Sequence, residues 1–283
     1  MDRLIFHNDR ILSLDEARLS PGQVGLLMGW GVFTTLRLYR GLPFAFERHW
    51  TRMSRDATRL GFSMNYQEQF VRQAVIELAR ANQRLEGMAR LSFVKNGGGL
   101  WAQADDRPPT DLLVFTRDLV PWPRGHRLRL QPMGIFSSGQ YAGAKMLSWV
   151  PHTAVYERVH AEGFDDALLL NEKGQVAECT SANIFLVRDS KVLTPPLSSG
   201  CLPGITREIV LEIAPPAGIE VREQELNVEA LSSAEEVFVS STTREVAAVE
   251  SISPGPRFDI PGKTTLALAQ LFRSYVESYL ARS

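Results

Sequence analysis

Between Gly163 and Phe185 the chain reads GFDDALLLNEKGQVAECTSANIF, and this stretch restricts the fold more than any other. DALLL, QVAECT and NIFLV (183–187) are too short for helices and too apolar for loops, so they read as strands in quick succession. One carboxylate, Glu178, stands at the end of the middle run among small residues, followed by Thr180, Ser181 and Asn183. A carboxylate buried there needs a positive or protonated partner. Its ordinary alternative is a turn acid held by neighbouring hydroxyls.

The chain around this segment alternates strand and helix signals. Short apolar runs and turn residues fill the first forty positions, and VFTTLRLYRGLPFAF (32–46) reads as a hairpin turning at Arg40-Gly41. Phe46, Trp50, Met53, Ala57 and Leu60 then fall on one helical face, with Gly61 placed to end the helix. A second helix over 67–82 turns Phe70, Val71, Ala74, Val75 and Leu78 inward. Strands are expected at 88–94 and 111–116, around a loop containing Gly97-Gly98-Gly99. DLVPWPRGHR (118–127), with two prolines and a glycine, reads as a linker between a domain at 1–117 and one at 128–283. Beyond it come a strand (128–135), a loop carrying Lys145, and a helix from 151 opened by Pro151. After the three strands above, a helix from Gly204, a buried strand (236–241) and a final helix (264–281) complete an α+β chain.

Charge and cysteine content remove several classes. With 31 Lys and Arg against 32 Asp and Glu, net −1, no basic field draws in nucleic acid or an anionic membrane. MDRLIFHNDR lacks the apolar core of a signal peptide, and no apolar run is long enough to span a bilayer. Cys179 and Cys201 make no CxxC pair and read as reduced thiols of a cytoplasmic protein. The histidines are dispersed, without metal-ligand spacing, so no metal site is expected and His49 and His152 read as surface or packing residues. Gly262-Lys263-Thr264 lacks the spacing and preceding strand of a P-loop, and Gly29-x-Gly31 lacks the third glycine of a dinucleotide fingerprint, where Thr34 stands. No GxSxG is present.

Two further segments carry chemistry. AKMLSW (144–149) sets a lone lysine, Lys145, among apolar residues, and a lysine amine becomes a useful nucleophile when partly desolvated. LPGITREIV (202–210) opens a helix at Gly204, where the first amides, at Ile205 and Thr206, can receive a phosphate. Taken singly, these have plain readings as an exposed loop lysine and an ordinary capped helix. Together with Glu178 they supply an amine for an aldehyde, an anion for a ring nitrogen and a cradle for a phosphate, the three handles of pyridoxal 5′-phosphate (PLP).

At this point the sequence resembles the fold-type IV PLP enzymes, the class IV aminotransferases. These include branched-chain and D-amino acid aminotransferases, (R)-amine transaminases and aminodeoxychorismate lyases. The likeness runs from MGWGVFTTLR (28–37) to VSSTTREV (239–246), most specifically through 163–185 and LPGITRE (202–208). It implies a smaller N-terminal α/β domain, a larger C-terminal domain with a barrel-like β core, and a homodimer. Residue by residue, Lys145 matches the catalytic lysine that carries PLP as a Schiff base, and Glu178 the acid at the pyridine nitrogen. Arg52, in ERHWTRM, matches an arginine on the phosphate, Ile205 and Thr206 the phosphate-binding helix start, and Thr242 a further phosphate or carboxylate contact. Ser181 and Asn183 are expected to line the cofactor cleft.

The resemblance implies an amino donor and a keto acid acceptor as substrates, and subfamily marks divide over which. The Arg-x-His carboxylate trap of D-amino acid enzymes is missing from KNGGGLWAQ (95–103). Branched-chain enzymes carry Tyr-x-Arg where this chain has Met88-Ala89-Arg90, and tyrosines at Met28 and near Trp149. GVFTTLR and the Lys-x-Leu at Lys145 look more like the lyase, whereas LPGITR leans toward the transaminases. A pocket lined by Met28, Trp30, Phe33, Met88 and Trp149, with Arg90 and Thr243, suits a hydrophobic branched-chain-like or aromatic amino acid or amine. The alternatives are 4-aminobenzoate formation by the lyase, or a D-amino acid or (R)-amine transaminase.

Overall fold

The computed structural model describes residues 2–99 and 108–282. The chain forms two compact units. One comprises the residues up to Val120 together with Ala144–Trp149, the other Pro121–Gly143 with Val150–Ala281. The lysine segment therefore folds with the first unit although both its sequence neighbours fold with the second.

The first unit is built on β1 (Leu4–His7), β2 (Arg10–Ser13), α1 (Val24–Met28), β3 (Gly31–Tyr39), β4 (Leu42–Pro43), α2 (Phe46–Arg59), α3 (Glu68–Ala81), β5 (Gly87–Lys95) and β6 (Thr110–Arg117). Its strands form one sheet in the order β2-β1-β6-β5-β3-β4, with every neighbouring pair antiparallel. The β3–β4 hairpin turns at Arg40 and Gly41, both with positive φ, as the sequence predicts. α2 and α3 cover one face. Phe46, Met53 and Ala57 of α2 join Val71, Ala74, Val75 and Leu78 of α3 in a core with Val32, Leu36, Leu91 and Phe93 of the sheet. Phe70 departs from the expected inward set. It lies about a quarter-turn off the buried stripe of α3, stays 43% exposed, and meets Phe6 and Tyr66 at the rim.

α2 buries a second stripe that its apolar spacing does not announce. His49, Arg52 and Asp56 recur at steps of three and four, beside the apolar face, and all three are buried.

The second unit contains β7 (His126–Ile135), α4 (Val150–Ala161), β8 (Asp166–Asn171), β9 (Val176–Cys179), β10 (Asn183–Arg188), β11 (Lys191–Thr194), α5 (Ile205–Ile213), β12 (Val221–Glu223), α6 (Val228–Ser232), β13 (Glu236–Ser241), β14 (Glu245–Ser253) and α7 (Lys263–Leu280). The strand order is β12-β11-β10-β13-β14-β7-β8-β9, with parallel pairs at β11–β12, β14–β7 and β7–β8. β9 lies at the far edge, yet it passes into β10 through a tight turn in which Cys179 N–H donates to the Ala182 carbonyl (2.7 Å). The sheet therefore curls back on itself, giving the barrel-like core. β8, β9 and β10 are the three strands read from 163–185, and β8 and β9 are buried throughout. β14, EVAAVESIS, escapes the sequence reading because its alanines weaken the strand signal, while pairing with β13 and β7 holds it. No helix among the described residues is long and apolar enough to cross a membrane.

Candidate active site

In the first unit the Lys145 segment pairs with the open edge of β3. Phe33 N–H donates to the Lys145 carbonyl (3.1 Å), Leu147 N–H donates to the Gly31 carbonyl (2.9 Å), and Val32 and Met146 form a bridge. Lys145 N–H turns the other way and donates to Oδ2 of buried Asp56 (3.0 Å), whose Oδ1 accepts from Arg55. Both backbone polar groups of the lysine are thus satisfied by fixed partners, which sets where its side chain begins.

That side chain meets aromatic rings. Lys145 Nζ lies 4.7 Å from the ring centre of Phe33 and 4.5 Å from that of Trp149, and the two rings meet edge to face at 5.7 Å. The Arg90 guanidinium stacks over Phe33 at 3.8 Å, and burial pushes its pKa down. Alternation along paired β3 and β5 puts Phe33 and Arg90 on one face of the sheet, with Met88 two residues from Arg90. Phe33, Arg90, Trp149 and Lys145 therefore stand together. Trp30 and Met28, expected to line the same pocket, have other surroundings as well. Trp30 donates from its indole to the Leu60 carbonyl (3.0 Å) and carries Lys95 over its ring, while Met28 stands 56% exposed at the end of α1. Residues 100–103 of the glycine loop read for carboxylate specificity lie outside the described residues.

Beneath β3, Arg52 Nη2 donates to Thr34 Oγ1 (2.9 Å), and Thr34 Oγ1 lies 2.6 Å from Nδ1 of His49. Burial first, then the positive charges of Arg52 and Lys145, hold the His49 pKa well below the usual imidazole range.

In the second unit Glu178, at the middle of β9, is buried at 6% exposure and accepts from Asn183 Nδ2 (3.2 Å). The same amide donates to the Leu202 carbonyl (2.8 Å), so Asn183 ties the acid to the turn that opens α5. Gly204, the N-cap of α5, supplies no side-chain cap, and a Cβ there would run into Asn183 Oδ1. Ile205 and Thr206 follow, both buried. Ser181 is exposed and donates to Asp166 Oδ2 (2.8 Å). Asp166 also accepts from Thr180 and faces Arg244 Nη2 at 2.8 Å. Arg244 closes the β13–β14 turn that carries Thr242 and Thr243, both half-buried, and its guanidinium lies over Trp122 at 4.0 Å. The ion pair thereby pins that turn to the Thr180-Ser181 turn. Asp56, Asp166 and Arg244 have no part in the sequence reading, and His49 enters it only as a surface or packing residue.

With these groups placed, comparison with known proteins identifies the family. The family model of amino-transferase class IV matches residues 31–252. The chain belongs to that family. A putative branched-chain-amino-acid aminotransferase of Methanocaldococcus jannaschii is 29% identical, covering 92% of this chain and 88% of its own. Aminodeoxychorismate lyase of Bacillus subtilis is 27% identical over 98% of this chain and 96% of its own. Among solved structures, the branched-chain aminotransferase of the thermophilic archaeon Thermoproteus uzoniensis, solved with norvaline, superposes with a TM-score of 0.89 at 27% identity, covering 99% of this chain and 98% of its own.

The residues fit the family's cofactor, PLP. A half-buried amine stands against aromatic rings, a buried carboxylate is held by an amide, and a helix start is left open by a glycine that tolerates no side chain.

Proposed function

We propose that the protein is an aminotransferase that moves an amino group between a hydrophobic amino acid or amine and a 2-keto acid. PLP is its cofactor, and when bound it takes up the amino group and draws electron density from the substrate Cα. The Lys145 amine holds and moves the proton at Cα, as base and then acid. Glu178 balances the positive ring nitrogen, and its bond from Asn183 keeps the carboxylate oriented. Arg52, the amides at Ile205 and Thr206, and Thr242 hold the phosphate. Phe33 and Trp149 keep water from the reacting amine, while Arg90 receives the substrate carboxylate.

The observation that carries the substrate class is Arg90 stacked on Phe33 in the aromatic group around Lys145. One guanidinium beside apolar rings matches one carboxylate on an apolar side chain. Aminodeoxychorismate, with two carboxylates, asks for more cationic partners. The lyase remains the second reading because the Bacillus subtilis relative spans nearly the whole chain. A panel of L- and D-amino acids and amines with pyruvate and 2-oxoglutarate tests the assignment. Transfer from branched-chain or aromatic donors supports it, and release of 4-aminobenzoate from aminodeoxychorismate without such transfer overturns it.

The working form is a homodimer. Leu26, Leu27 and Met28 on α1 are each more than half exposed, as are Met133 and Phe136 in the second unit, and their cover by a second chain is consistent with this reading. Light scattering at the mass of two chains is the expected result. Cys179 and Cys201, both buried and free, support a reducing, cytoplasmic setting.

A further inference from the structure

The stripe of buried polar groups on α2 has a direction. An arginine can only donate, so Thr34 Oγ1 accepts from Arg52 Nη2 and keeps its own proton to give. Nδ1 of His49 is the nearby acceptor, 2.6 Å from Oγ1. Arg52 Nη2 also lies 3.5 Å from that nitrogen, so a proton on Nδ1 would face a cationic donor. The imidazole proton therefore belongs on Nε2. All three side chains are buried: Thr34 is 0% exposed, His49 2% and Arg52 7%. Away from water, a hydrogen-bond chain with one consistent direction is strongly favoured over its alternatives.

We propose that His49 and Thr34 are the positioning residues for Arg52: Nδ1 of His49 takes the Thr34 hydroxyl proton, which turns an oxygen lone pair toward Nη2 and fixes the guanidinium for the cofactor phosphate. This rests on the assignment of Arg52 to the phosphate made above. His49 touches neither cofactor nor substrate in this role. It acts through two hydrogen bonds, and its effect is confined to the phosphate end.

Titration of the apoenzyme with PLP and, separately, with pyridoxal, which lacks the phosphate, tests the chain. His49→Phe keeps the ring volume and loses the acceptor. It weakens PLP binding by roughly tenfold, the effect of about one hydrogen bond to a charged group, while pyridoxal binding changes by less than about twofold. His49→Asn places an acceptor oxygen near the position of Nδ1 and restores most of the PLP affinity. Thr34→Val repeats the phosphate-selective loss and Thr34→Ser does not, which keeps the test open should the His49→Phe chain fail to fold. Equal loss for PLP and pyridoxal, or no loss in either His49→Phe or Thr34→Val, overturns the proposal. Arg52→Met separates the two layers. If it leaves PLP affinity intact, the phosphate assignment itself fails; if it weakens PLP and the relay variants do not, only the relay fails.

Discussion

Lys145 donates its backbone N–H to Oδ2 of Asp56 at 3.0 Å, and the receiving carboxylate is almost fully buried. α2 thereby fixes the start of the lysine side chain across 89 positions of sequence. Asp56→Leu removes the acceptor and leaves a part-buried N–H without this partner, an expected loss of about 1 kcal/mol. Asp56→Asn, which keeps an acceptor oxygen, loses less. Denaturant unfolding ranks the two, and equal stability of Asp56→Leu and wild type would remove the clamp from the account.

Glu178→Gln keeps the shape and hydrogen-bonding reach of the acid but not its charge. The donor half-reaction, followed by absorbance of the cofactor, slows by on the order of 100-fold, since the ring nitrogen loses its counter-charge. PLP still binds. An unchanged rate would show that Glu178 does not set the state of that nitrogen.

The pairing of Asp166 with Arg244 joins two turns, and both side chains are 1% exposed. Arg244→Met strands the carboxylate among its hydroxyl and amide donors and costs about 3–5 kcal/mol. Adding Asp166→Asn to that variant recovers much of the loss, because no buried charge remains. Thermal unfolding of the two singles and the double measures the coupling; additive losses would show that the pair does not act as a unit.

Acid sensitivity follows from His126, whose pKa is pushed down to about 4, by burial first and then by the positive charge of Arg244. The unfolded chain binds this proton more readily than the folded one, so stability is complete above the ordinary imidazole pKa of 6.5. It declines as pH falls from there toward 4, by at most about 3 kcal/mol from this residue. His49, lowered by its own burial, adds to the same decline. His126→Phe therefore flattens the stability profile between pH 7 and 4, and an unaltered slope would assign the effect elsewhere.

The sequence showed what depends on local pattern. The runs at 163–185 became β8, β9 and β10, the apolar spacing from Phe46 became the buried face of α2, and Gly204 became the N-cap of α5. His49, Arg52 and Asp56 were equally periodic, but polar residues at helical spacing describe a solvated face as readily as a buried one. Burial of that stripe depends on Thr34 from β3 and on the amide of Lys145, partners remote in sequence. Trp30 was read into the same apolar lining as Phe33, and its indole donates to the Leu60 carbonyl at the end of α2, a partner that no sequence pattern announces. Arg244 and Asp166 drew no reading from the sequence, because no local pattern joins residues so far apart.

The central claim is that the ε-amine of Lys145 bonds the cofactor aldehyde. Borohydride reduction of the purified holoenzyme, followed by proteolysis and mass spectrometry, tests it most directly. A phosphopyridoxyl group on the peptide containing Lys145, absent from Lys145→Ala, is the predicted result. Label on another lysine, or full turnover by Lys145→Ala, would contradict the account.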